Sequence, residues 1–187
     1  MSDQKRTLVL LRHAKSAYPA GVADPLRPLA PRGLREAGLA GDWLRSPASA
    51  SPPIQAVLCS TATRTRQTLE RTGLSAPVEF VDGLYGASPG SVIAEINRVD
   101  EERFGFDAGT LLVIGHEPAI STVALRLAGA PGTSPAAVDR ITAKYPTSAM
   151  AVLRFTGTCP SGAQALALSY RLLFDIDQLH RGLQTLP

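Results

Sequence analysis

Near the start of the chain four apolar residues, Leu8-Val9-Leu10-Leu11, run straight into Arg12 and His13. A short apolar run without alternation is the pattern of a strand buried on both faces. Ala56-Val57-Leu58-Cys59, ahead of Ser60, repeats that pattern. So does Thr110-Leu111-Leu112-Val113-Ile114, which leads into Gly115-His116-Glu117-Pro118. A shorter strand is expected at Val78–Val81. Between these runs the apolar spacing changes to that of helices. Leu34, Ala37, Gly41 and Leu44 share one face of a helix from Pro31 to near Ser46-Pro47. Ala62, Thr65 and Leu69 line a helix over Thr61–Thr72, with Ser60 as its N-cap and Gly73 past its end. Val92, Ile96 and Val99 predict a helix over Pro89–Arg103, and Ile120, Val123, Ala124 and Leu127 predict one after His116. Ala17–Ala30 and Ser49–Pro53 read as loops, and Gly129–Pro146 as irregular. Met150–Phe155 and Ala165–Leu173 predict two strands that can pair as a hairpin.

Strands alternating with helices indicate an α/β fold, its sheet covered on both faces. No repeat and no boundary interrupts the pattern, so residues 1–187 are expected to form one domain. Apolar content of 44% and charged content of 19% are globular values. A net charge of +3 is too small to argue for nucleic acid, and no basic cluster with interleaved aromatics occurs. The N-terminal apolar run is too short for a signal peptide or a membrane span. Two cysteines, Cys59 and Cys159, make no disulfide framework and suit a reducing compartment. A cytoplasmic protein without membrane partners is the expectation; nothing in the sequence sets its oligomeric state.

Three strand ends carry polar groups: Arg12-His13, Ser60 with Arg64 just beyond, and His116. In open α/β sheets, ligands bind at the carboxyl ends of the strands. A lone histidine at a strand end is most simply one satisfied by backbone. Arg12 changes that for His13, because an arginine beside a core strand needs an anion. Arg64 falls in a first helical turn, where a cation opposes the helix dipole unless an anion is bound. Gly115 would allow close backbone approach beside His116, where helix amides favour an anion. Arg66 and His180 read as surface residues. A cysteine-phosphatase loop needs five residues between cysteine and arginine; Cys59 has four before Arg64 and six before Arg66. Cys59 therefore reads as a small core residue. With three histidines in the chain, a histidine-rich zinc site is not expected. No Walker loop, dinucleotide fingerprint or Gly-x-Ser-x-Gly elbow occurs.

Leu11-Arg12-His13, the stretch from Cys59 to Thr68 with Ser60 four residues ahead of Arg64, and Gly115-His116-Glu117 together resemble the three motifs of the histidine phosphatase superfamily. Arg12-His13-Ala14-Lys15-Ser16, Asp24-Pro25-Leu26-Arg27-Pro28-Leu29, Pro31-Arg32-Gly33 and Lys144-Tyr145-Pro146-Thr147 resemble its SixA-type phosphohistidine phosphatase branch. The resemblance implies a phosphoglycerate-mutase-like, three-layer αβα sandwich with a mostly parallel central sheet. It implies that His13 is phosphorylated, that Arg64 binds phosphate and that His116 is the second histidine. Mutase-type members have glycine after the histidine and asparagine six residues past it; here stand Ala14 and Pro19. Their proton-donating glutamate follows the third strand, but Leu84-Tyr85-Gly86-Ala87-Ser88 holds no acid. Mutase activity is thereby disfavoured.

The mechanism expected is in-line attack of neutral His13 on phosphorus, its other ring nitrogen donating to a backbone carbonyl. Arg12, Arg64 and Arg27 would clamp the phosphoryl oxygens, and His116 would add a donor. Ser16 and Gly115 are expected beside the substrate. Asp24 is the first candidate for general acid and Asp82 the second. No cofactor and no metal are expected, since arginines supply the positive charge. The expected substrate is phosphohistidine on a protein. The alternatives are a small phosphomonoester, or a non-catalytic module that binds a phosphorylated ligand.

Overall fold

A computed structural model of the chain describes residues 5–47, 49, 51–99, 101–128, 133–156 and 168–172. Among these residues six strands form one sheet: β1 (Lys5–Arg12), β2 (Ala56–Ser60), β3 (Val78–Val81), β4 (Thr110–Gly115), β5 (Met150–Thr156) and β6 (Leu168–Leu172). Their order is β3-β2-β4-β1-β5-β6. The β3, β2, β4 and β1 strands are mutually parallel. β5 runs antiparallel to β1, and β6 antiparallel to β5.

Among the described residues six helices cover the sheet: α1 (Pro31–Arg45), α2 (Thr63–Thr72), α3 (Pro89–Asn97), α4 (Glu101–Phe104), α5 (Ala119–Leu127) and α6 (Pro135–Ala143). The central run of β1 is apolar on both sides because each side meets a helical layer. Val9 and Leu11 join Ala40, Trp43 and Leu44 of α1 and Leu69 of α2. Leu8 and Leu10 join Val92 and Ile96 of α3, Ile120 and Val123 of α5, and Ala137 and Ile141 of α6. Alternate side chains of one strand thus feed two cores, which is what an unalternating run means. The result is the three-layer αβα sandwich that the resemblance implies.

The structure corrects the local reading at three places. Ser60 is the last residue of β2, and α2 begins after Ala62; Gly73 does end it, at φ +62°. The helix expected over Pro89–Arg103 stops at Asn97 and resumes as α4. Val92, Ile96 and Val99 are all buried across the break, so their spacing could not reveal it. Gly129–Pro146, read as irregular, holds α6. Ser134 and Pro135 start that helix, and Ala137 and Ile141 form its buried face. The remainder of the Ala165–Leu173 strand expectation, with Cys159 and His180, lies outside the described residues. No helix among the described residues is long and apolar enough to cross a membrane.

Candidate active site

Parallel register brings the polar strand ends together. Arg12 pairs with Gly115 across β1 and β4, and the His13 N–H donates to the Gly115 carbonyl at 3.0 Å. His13 and His116 therefore emerge side by side, with ring centroids 5.2 Å apart. Ser60, at the end of neighbouring β2, shares a 2.8 Å hydrogen bond with His116 Nε2.

The His13 ring is fixed by its own neighbour. Nδ1 lies 2.7 Å from the Ala14 carbonyl oxygen. A carbonyl only accepts, so Nδ1 carries the proton and Nε2 keeps its lone pair. The Ala14 N–H in turn donates to Thr68 Oγ1 at 3.0 Å, and that hydroxyl donates to the Arg64 carbonyl at 2.6 Å. One buried threonine thus ties the end of β1 to the first turn of α2. Burial, assisted by the charges of Arg64, Arg12 and Arg27, lowers the His13 pKa from 6.5 to about 4. Burial also lowers that of His116, to about 3, with His13 and Arg64 adding to the effect. Both imidazoles are neutral at pH 7, as a nucleophile requires.

Asp24 closes the arrangement from the loop between β1 and α1, where residues 24–26 form a single 3-10 turn. Arg64 Nη1 donates to the Asp24 carbonyl at 2.7 Å and Nη2 to its Oδ2 at 3.0 Å. Arg27 holds Oδ1 at 2.5 Å and also donates to Ser16 Oγ at 2.7 Å and the Ala17 carbonyl at 3.0 Å. The Tyr85 hydroxyl donates to Oδ2 at 2.7 Å. These contacts, the tyrosine's first and those of the two arginines after it, hold the Asp24 pKa well below the usual carboxylate range. Asp24 is therefore an ionised acceptor that ties Arg27, Arg64 and Tyr85 together. The same bond raises the Tyr85 pKa, so this hydroxyl stays protonated. The Tyr85 ring stands edge-on to His116 at 5.5 Å. Nothing in the sequence singles out Tyr85, because the segment after β3 is where related enzymes place a carboxylate. Asp82, the second acid candidate, is exposed at the start of the turn that leads to Tyr85.

Arg12 Nη1 donates to the Tyr145 carbonyl at 2.6 Å, and no carboxylate among the described residues pairs with it. Gly115 is buried within β4. A Cβ there would lie 2.9 Å from Ile120 Cδ1 and 3.1 Å from its Cγ1, so packing also favours glycine. The start of α5 does not offer all its amides: Glu117 Oε1 accepts from the Ser121 N–H at 3.1 Å. Arg66 is exposed and stacks over Phe80. Cys59 is buried, with its thiol pKa pushed up to about 12 by burial, as befits a core residue. Among the described residues no group of three or more His, Cys, Asp or Glu could hold a metal ion.

Residues 8–103, just over half the chain, match the family model of the histidine phosphatase superfamily, branch 1. An uncharacterized protein of Mycobacterium tuberculosis is 58% identical over 147 residues, covering 79% of this chain and 88% of that one. A structure from Nakamurella multipartita, provisionally named as the phosphohistidine phosphatase SixA, is 39% identical with a TM-score of 0.76, covering 90% of this chain and 94% of that one. The protein histidine phosphatase SixA solved with tungstate is 26% identical with a TM-score of 0.61, covering 81% and 94%. The chain belongs to the histidine phosphatase superfamily.

Proposed function

We propose that this protein is a phosphatase that works through a phosphohistidine intermediate on His13 and takes its phosphoryl group from phosphohistidine on a protein. The observation that carries the first part is the Nδ1–H bond to the Ala14 carbonyl. It leaves the lone pair that a nucleophile needs on Nε2, on the strand end that also carries Arg12. Attack forms a bond from Nε2 to phosphorus while the bond to the leaving group breaks. Arg12 and Arg64 stabilise the charge spreading over the phosphoryl oxygens. Water then hydrolyses phospho-His13 and releases inorganic phosphate.

The leaving group is argued from the acid. An alkoxide needs a proton as it leaves, whereas a phosphorylated imidazole holds a second ring nitrogen that can carry its own. Asp24 is held ionised by Tyr85, Arg27 and Arg64, and a leaving group that carries its own proton makes no demand on it. A P–N substrate suits that arrangement better than a P–O substrate. Tyr18 and Leu26, on the loop that carries Asp24 and Arg27, are 73% and 64% exposed, which favours a protein surface as partner. The SixA relative that binds tungstate takes a tetrahedral oxyanion, in keeping with a phosphoryl ligand. One observation favours a small phosphomonoester instead: the protonated Tyr85 hydroxyl, bonded to Asp24 Oδ2, is a proton source for a leaving oxygen.

The test is a panel in which a phosphohistidine protein is set beside sugar and nucleotide monophosphates. Release of phosphate from the phosphohistidine protein at a kcat/KM at least about 100-fold above the esters is expected. Preference for an ester would move the assignment to the second reading.

A further inference from the structure

β5 enters the sheet antiparallel to β1, with Met150 opposite Leu11. The residues just before β5 therefore lie at the same sheet edge as His13. Ser148 is stitched to that edge by its backbone. Its N–H lies 3.2 Å from the carbonyls of both Arg12 and His13, and the Arg12 N–H donates to the Ala149 carbonyl at 3.1 Å. Ser148 is also the one non-glycine residue with positive φ among the described residues, at +62°. Glycine adopts that conformation freely, while a side chain makes it costly.

The side chain brings a second cost. Ser148 is 1% exposed, and its hydroxyl has no hydrogen-bond partner among the described residues. A buried hydroxyl left unpaired is unfavourable. Glycine at this position would remove both costs, and the serine side chain makes no hydrogen bond that would offset them. Only three other buried side-chain N or O atoms among the described residues are unpartnered: Arg6 Nε, Arg12 Nε and His116 Nδ1. Arg12 and His116 belong to the candidate site, and Ser148 is bonded to its backbone. Arg12 Nε and the Ser148 hydroxyl are donors that no acceptor among the described residues takes up.

We propose that Ser148 is a further substrate-binding residue, its hydroxyl donating to an oxygen of the bound phosphoryl group alongside Arg12 and His116. This rests on the phosphoryl-transfer reading above. The test compares the full-length wild-type chain with Ser148→Gly and Ser148→Ala, measuring thermal midpoint without ligand and tungstate affinity by calorimetry. Ser148→Gly is expected to melt higher than wild type and to bind tungstate about ten-fold more weakly or worse. Ser148→Ala should lose the same affinity with a smaller gain in midpoint, because it keeps the positive φ. Unchanged tungstate affinity in both variants would overturn the inference, and so would a lowered midpoint in Ser148→Gly, which would mean a structural hydroxyl. A wild-type chain that binds no tungstate would overturn the phosphoryl-transfer reading as well.

Discussion

Arg6 and Arg12 stand at the two ends of the apolar run of β1, and their surroundings differ. Arg6 is buried against a carboxylate, with Nη1 2.6 Å from Asp107 Oδ1 and bonded to the Ala108 carbonyl. Among the described residues the Arg12 side chain bonds only the Tyr145 carbonyl, at the end where the candidate catalytic groups gather. The same residue type on the same strand is thus neutralised at the amino end and left with unspent charge at the carboxyl end. The unmatched one is the arginine that the proposed function assigns to the phosphoryl group. Arg64 and Arg27 sit between these cases: a carboxylate holds them, but it is Asp24, 49% exposed on a loop, rather than a buried partner.

Substitution separates the two ends most sharply. Arg12→Ala is expected to lower kcat/KM by about 100- to 1,000-fold with little change in thermal midpoint, as loss of one transition-state donor commonly does. Steady-state kinetics beside a melting curve checks both halves, and wild-type turnover would remove Arg12 from the site. Arg6→Ala should do the reverse. It strands Asp107, which is partly exposed, and should cost about 2 kcal/mol of stability by denaturant titration while the folded fraction keeps its activity.

A pH series sharpens the comparison further. The folded-state pKa of His13 is lowered, from 6.5 to about 4. Between those values the unfolded chain binds more protons than the folded one, so stability declines as pH falls from 6.5 toward 4. His13 itself remains neutral and nucleophilic over that range, so phosphoenzyme formation should persist at pH 5 wherever the fold survives. An activity limb with a midpoint at the ordinary imidazole value would contradict the burial argument. The smallest effect is expected of Asp24→Asn. If the ionised carboxylate only holds arginines, kcat on a phosphohistidine substrate should change less than about ten-fold. A loss as large as that of Arg12→Ala would restore Asp24 as the general acid.

Much of this was legible in the residues. The doubly buried strands followed from unalternating runs, and their polar ends do lie together at one sheet edge. What escaped depends on partners supplied from elsewhere in the fold. Ser60 looks like an N-cap because serine before a helix usually is one, yet its hydroxyl is taken by a histidine 56 residues away. The protonation state of Asp24 depends on Tyr85 and Arg64, which only the folded loop brings to it. The break between α3 and α4 leaves the apolar spacing intact. Ser148 gave no signal, since a serine in a left-handed conformation reads like any other loop serine.

The central claim is that His13 Nε2 takes the phosphoryl group. Incubation with a phosphohistidine protein, acid-sparing digestion and mass spectrometry should place the phosphate on His13, with none acquired by His13→Ala. Phosphate mapped to His116 or to any other residue, or turnover surviving in His13→Ala, would contradict the account.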